Sequence, residues 1–191
     1  MEKSKVYFTK EITPESLVKI YQALGVELKG KVGVKISTGE PGGNNYLHPE
    51  LIGKLVKQLN GTIIECCTAY AGRRMDPKEH WKAIEEHGFT AMAPCDIMDE
   101  FGEMEIPVEN GFHLDKDIVG EHLANYDSIL VLSHFKGHAM GGFGGALKNI
   151  SIGIGSTHGK TYIHTAGVTT EAAELFQKLP LQDHFLESMA D

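Results

Sequence analysis

The sequence predicts an α/β fold in which an open, mainly parallel sheet is flanked by helices, and three observations lead there. Short segments of strand period alternate with amphipathic segments of helical period. The helical segments open on proline at the first helical position, as at Thr13-Pro14, His48-Pro49 and Asp76-Pro77. The unbroken apolar run 129–132 reads as a parallel strand buried on both faces, and it leads directly into a glycine-rich loop.

Taken in order, a short strand is expected at 6–8. A helix then starts at Thr13-Pro14, carries Leu17, Ile20, Tyr21 and Leu24 on one face, and stops near Gly25. Residues 31–37 alternate Val32, Val34 and Ile36, which is strand period. A second helix runs from Pro49 with Leu51, Ile52, Leu55, Val56 and Leu59 inward, and Asn60-Gly61 closes it. Residues 62–67 form a strand. Asp76-Pro77-Lys78-Glu79 has the form of a capping box and starts a helix through Trp81 and Ile84 toward His87-Gly88. The stretch 89–110, acidic and containing Pro94 and Pro107, suits short antiparallel strands. A short helix is expected at 118–124 and a parallel strand at 128–132. Its loop, placed at the carboxyl end of a central strand, gives way to a helix start at Ala146.

Composition bounds the function. With 191 residues and 41% hydrophobic content, residues 1–191 suit a single α/β domain, complete or as the N-terminal part of a longer protein. A formal net charge of −8, with no basic cluster larger than Arg73-Arg74, argues against nucleic acid as a partner. No segment approaches the roughly 20 apolar residues of a membrane helix, and the N-terminus lacks a signal-peptide apolar core, so no membrane is expected and the chain is read as cytoplasmic. Cys66, Cys67 and Cys95 are too few and too irregular for a disulfide framework or a CxxC knuckle. Alternation turns Cys66 and Cys67 to opposite sides of a strand, as structural thiols.

In open parallel sheets ligands sit beyond the carboxyl ends of the strands, so the loops that follow strands carry the candidates. The richest is 133–149, SHFKGHAMGGFGGALKN, with two histidines and five glycines. Gly141, Gly142, Gly144 and Gly145 suit close approach of the backbone to a ligand. Lys148 sits just inside a helix start, where the dipole disfavours a cation, so an anion or a covalent adduct would account for it. In the earlier loops Glu40, Asn44 and Asn45, with Arg73 and Arg74, would orient a carboxylate or phosphate. Among ten histidines, His134, His138, His158 and His164 cluster in sequence. His134 and His164 are the candidate ligands for a divalent metal and His138 a catalytic acid or base. His80, His87, His113, His122 and His184 are expected at the surface.

Three segments, VKISTGEPGGNNYLHPE, ECCTAYAGRR and LSHFKGHAMGGFGGALKNISIGIGS, closely resemble domain-of-unknown-function family 362, over about 31–167. That family is often described as containing an iron-sulfur centre, and many relatives carry a ferredoxin-like segment with CxxCxxC runs farther along. This chain has only Cys66, Cys67 and Cys95, so the cluster is not carried over to it. More distantly, His138 through Lys148 to His164 is similar to the N-terminal domain of nickel-dependent lactate racemases. That likeness implies His138 as a catalytic histidine, Lys148 as the tether of a nickel-pincer cofactor and His164 as a metal ligand. The racemases carry Thr-Arg-Pro where this chain has Gly39-Glu40-Pro41, and His-Arg where it has Arg73-Arg74. Exchanging a cation for an anion, and a titrating base for a fixed cation, sets lactate racemisation itself aside.

The functional expectation is a small-molecule metabolic enzyme of redox or proton-transfer type, an oxidoreductase or isomerase, acting on a small anionic metabolite. His138, Lys148 and Arg73 would do the chemistry, with a metal possible at His164 and His134. Two alternatives stand beside it: a redox protein whose ferredoxin-like C-terminal domain or redox partner lies outside this chain, and a non-catalytic anion-binding module.

Overall fold

The computed structural model describes residues 3–191. Its centre is a four-stranded, all-parallel sheet in the order β3-β2-β1-β6, with β1 at Val32–Lys35, β2 at Thr62–Glu65, β3 at Cys95–Ile97 and β6 at Ser128–Val131. Gly33 pairs with both Thr62 and Ile129, which puts β1 between β2 and β6. The alternation read from the sequence then divides the core in two. Val32, Val34, Ile36, Ile63, Cys67 and Ile97 face one layer of helices, while Ile64, Cys66 and Met98 face the other side.

The first layer is made by α1 (Pro14–Leu24), α2 (Pro49–Gln58) and α3 (Pro77–Glu86), with a single turn α4 at Phe89–Met92. The starts of α1 and α3 carry side-chain caps. The Thr13 side chain accepts from the Ser16 N–H, Asp76 accepts from the Glu79 N–H, and Gly25 ends α1 in the left-handed region. Ile52, Leu55, Val56, Ile84 and Phe89 pack onto the sheet from this side.

The opposite layer differs from expectation. Residues 118–124 do not make a helix: Lys116–Gly120 is a strand, β5, paired antiparallel with β4 at Glu103–Pro107, and a 3-10 turn follows at Glu121–Asn125. Ile118 and Val119 are both buried, which a pairing strand achieves and a short surface helix would not. The antiparallel pair expected in 89–110 is thus half right, its second strand lying beyond that window. The strand expected at 6–8 is absent as well; those residues have no sheet partner, and Val6 and Phe8 are exposed. Strand β6 lies at the edge of the sheet, not at its centre, and is only half-buried.

Beyond β6 the glycine-rich loop folds into a small antiparallel hairpin of β7 (Lys136–His138) and β8 (Gly142–Gly144), tightened at Gly142 with φ 72°. Helices α5 (Ala146–Ile154), α6 (Thr157–His164) and α7 (Gln182–Ala190) complete the domain around Leu114, Ile152, Ile163 and Phe185. Within the described residues no helix is long and apolar enough to cross a membrane.

Gly159 shows how tightly α6 is seated against β5. A Cβ built there would lie 1.8 Å from the Ile118 carbonyl oxygen, which already accepts from the Ser156 N–H. Gly159→Ala is therefore expected to cost about 3 kcal/mol, read as a lower urea midpoint with an unchanged slope.

Candidate functional site

The carboxyl ends of β1, β2 and β6 open into a cavity of about 590 Å³, closed on the far side by the hairpin and by α5 and α6. Its floor is made by residues that end strands. Lys35, the last residue of β1, is 1% exposed. Its Nζ donates to the Ile36 carbonyl at 2.6 Å and to Asn149 Oδ1 at 2.9 Å. Asn149 in turn donates to the carbonyls of Lys35 and Leu132 and to Ser133 Oγ, so one amide ties α5 to the ends of both β1 and β6. Burial lowers the Lys35 ammonium to about 8, although Glu65 opposes the shift.

Glu65, the last residue of β2, is buried and fully engaged. It accepts from the Thr38 N–H at 2.9 Å and from the Thr38 hydroxyl, and it lies 3.4 Å from Arg74 Nη2 and 3.4 Å from His80 Nε2. Burial opposes its ionisation, yet the Arg74 guanidinium, the His80 contact and Lys35 outweigh burial and hold the carboxyl well below the ordinary 4.5. His80 is completely buried, contrary to its expected surface position, because α3 turns it onto Glu65 and Thr38. Arg74 is closed from above by Glu40, 3.7 Å away, which accepts from the Tyr70 hydroxyl at 2.6 Å. Arg74 Nε is buried with no hydrogen-bond partner among the described residues.

The wall contributed by the hairpin and helices carries the remaining charge. Lys136, Lys148 and Lys160 all line the cavity. Lys160 donates to the Gly155 carbonyl, whereas Lys136 and Lys148 have no hydrogen-bond or ion-pair partner among the described residues. Lys148 runs over Gly144, where a Cβ would meet its Cδ at 3.6 Å. Burial, then the charges of Lys136, Lys160 and Arg74, bring its ammonium down to about 8.

Two histidine rings flank Phe185 of α7, at centroid distances of 6.0 Å for His138 and 5.3 Å for His164. His138 Nδ1 accepts from the Gly141 N–H at 3.0 Å, which fixes the neutral ring with its proton on Nε2. His164 Nδ1 lies 2.6 Å from the Lys160 carbonyl, an acceptor, so Nδ1 carries the proton and Nε2 keeps its lone pair. The pair thus presents one N–H and one lone pair. Burial and the charges of Lys148 and Lys136 lower His138, and burial brings His164 to about 4, so both rings are neutral at pH 7.

The structure brings together Glu40, Arg74, His134, His138, Gly144, Gly145, Lys148 and His164 around the cavity. It does not bring Arg73, which turns outward to pair with Glu79 and Glu86 and is 38% exposed. Two arginines in succession on a 3-10 turn face different ways. Asn44 is exposed while its neighbour Asn45 lines the cavity, and Gly141 and Gly142 shape the hairpin turn without lining it. Lys35, Glu65, Lys160 and Asn149 went unnoticed in the sequence reading. The available signal was a charged residue closing a buried strand, in VGVK and in TIIE.

No three side chains among described His, Cys, Asp and Glu gather as a ligand set, and His134 and His138 have lysines as their charged neighbours. Cys66 and Cys67 do turn to opposite sides of the sheet, into separate cores. Burial raises all three thiols, Cys66 and Cys95 to about 12, so none stands as a free thiolate at pH 7.

A family model described as "Domain of unknown function (DUF362)" matches residues 32–191, farther along the chain than the sequence reading placed it. No curated protein and no solved structure matches.

Glu65→Gln leaves Arg74 and the buried Thr38 groups facing a neutral amide, with an expected loss of about 3 kcal/mol in chemical denaturation. Because the folded-state carboxyl is depressed, its stabilisation is complete above pH 4.5 and fades as pH falls below it. The variant should therefore show a flatter acid limb than the parent.

Proposed function

The chain belongs to the DUF362 family, and we propose that it binds a small anionic metabolite in this cavity and moves a proton on it. The observation that carries the reading is charge. In a protein of net charge −8, the cavity collects Lys35, Arg74, Lys136, Lys148 and Lys160 against only Glu40 and Glu65. Both carboxylates are already engaged inside the protein, whereas Lys136 and Lys148 are not. Gathering cations in a half-buried space is costly, and an anionic ligand relieves that cost.

The size suits a small molecule, and the lining mixes these charges with Met140, Ile152 and Leu175. Arg74 and the lysines would fix the anionic group, while His138 Nε2–H would donate to a neighbouring oxygen and His164 Nε2 would accept. Arg73 has no part in this reading, since its guanidinium is held outside by Glu79 and Glu86.

Calorimetry with oxalate tests the proposal. The parent protein is expected to bind, Lys148→Ala to weaken binding roughly 10-fold or more, and Arg73→Ala to leave it unchanged. Affinity should fall as pH rises through about 8, where Lys35 and Lys148 lose their protons. Failure of the parent to bind oxalate, sulfate or phosphate would overturn the reading.

A further inference from the structure

We infer that Lys148 is an amine nucleophile that forms an imine with the carbonyl carbon of a small 2-oxo acid held in the cavity. The inference rests on the anion-binding reading above and names its substrate class. Three of the cavity cations are otherwise occupied: Lys35 on Ile36 and Asn149, Lys160 on Gly155, and Arg74 on Glu65. Lys136 is exposed. Lys148 alone combines partial burial, absence of a partner among the described residues, and a place inside the first turn of α5.

Every feature around it disfavours the ammonium. The helix start presents its positive end, Lys136, Lys160 and Arg74 add charge, and burial removes water. With its value at about 8, roughly a tenth of the amine is unprotonated at pH 7, against far less for an exposed lysine. Lysines made nucleophilic by desolvation beside other cations are the recurrent route to Schiff-base chemistry. Lys136, exposed and without a partner among the described residues, accounts for the carboxylate of the ligand, one bond from the carbonyl that meets Nζ. Met140, Ile152 and Leu175 offer an apolar wall to its side chain.

The step balances with groups present. The Lys148 amine attacks the carbonyl carbon and its proton passes to the carbonyl oxygen, giving a carbinolamine. The hydroxyl then leaves as water with the proton remaining on nitrogen, while the neutral His138 ring donates a hydrogen bond from Nε2–H to the departing oxygen and keeps its proton. Amine and oxo acid become imine and water, with no change of oxidation state.

The test is reductive trapping. The protein is incubated with glyoxylate or pyruvate and sodium cyanoborohydride, and adducts are mapped by peptide mass spectrometry. Lys148 is expected to be labelled on the order of 10-fold faster than the exposed Lys57 and Lys78. Excess oxalate should protect it, and labelling should rise with pH toward 8. Lys148→Arg, confirmed folded by its melting curve, should lose the adduct while surface labelling persists. Equal labelling of Lys148 and surface lysines, in a protein that binds oxalate, overturns the imine and leaves the anion site standing. If neither oxalate binding nor a selective adduct is found, both fall.

Discussion

The burial of Lys35 is the constraint around which the rest of the cavity is arranged. A lysine closing an inner strand of a parallel sheet, 1% exposed, needs acceptors, and it has two: its own neighbour's carbonyl and Asn149. Asn149 meets that need only because α5 begins immediately after the hairpin and crosses the ends of β1 and β6. The same placement brings Lys148, one residue earlier, to the cavity wall. Satisfying one buried ammonium thus fixes the register of the helix that delivers another. Gly153 makes the approach feasible, since a Cβ there would lie 3.0 Å from Lys35 Nζ.

A second tie works from β2. Glu65 holds Thr38, Arg74 and His80 together, joining the loop after β1, the turn after β2 and helix α3 at one carboxylate. Two networks therefore sit side by side at the carboxyl end of the sheet, one with a carboxylate at its centre, the other cationic with members left over. Natural cores tolerate such local conflict at sites where ligands complete the charge balance, and compensate through packing elsewhere. Here that packing is supplied by the aliphatic layer of α1 and α2 and by Phe185 beneath the histidines.

The histidines illustrate how neighbours set roles. His138 and His164 have the same side chain and pack against the same phenylalanine, yet one accepts a backbone N–H and the other meets a backbone carbonyl. Their free nitrogens are chemically opposite as a result. The cysteines show the converse: adjacent in sequence, Cys66 and Cys67 are both buried but serve the cores on opposite sides of the sheet, and burial raises both thiols.

Local signals in the sequence specify most of the alternation of strands and helices, the inward faces of β1 and β2, and the proline-marked starts of α1, α2 and α3. Those features are local: period, capping and glycine content act within a few residues. The sequence also placed Arg74, His138, Lys148 and His164 among the candidates, because each stands in a loop or helix end after a strand. Tertiary structure alone decided the rest. That β6 is an edge strand, that 116–120 pairs with 103–107, and that Arg73 turns away while Arg74 turns in all depend on partners distant in sequence. Lys35 and Asn149 are 114 residues apart, and Thr38 and Glu65 are 27 apart. Hydrogen bonds over such separations leave no periodic trace in the chain, since what specifies them is the need to satisfy buried polar groups after the backbone has folded.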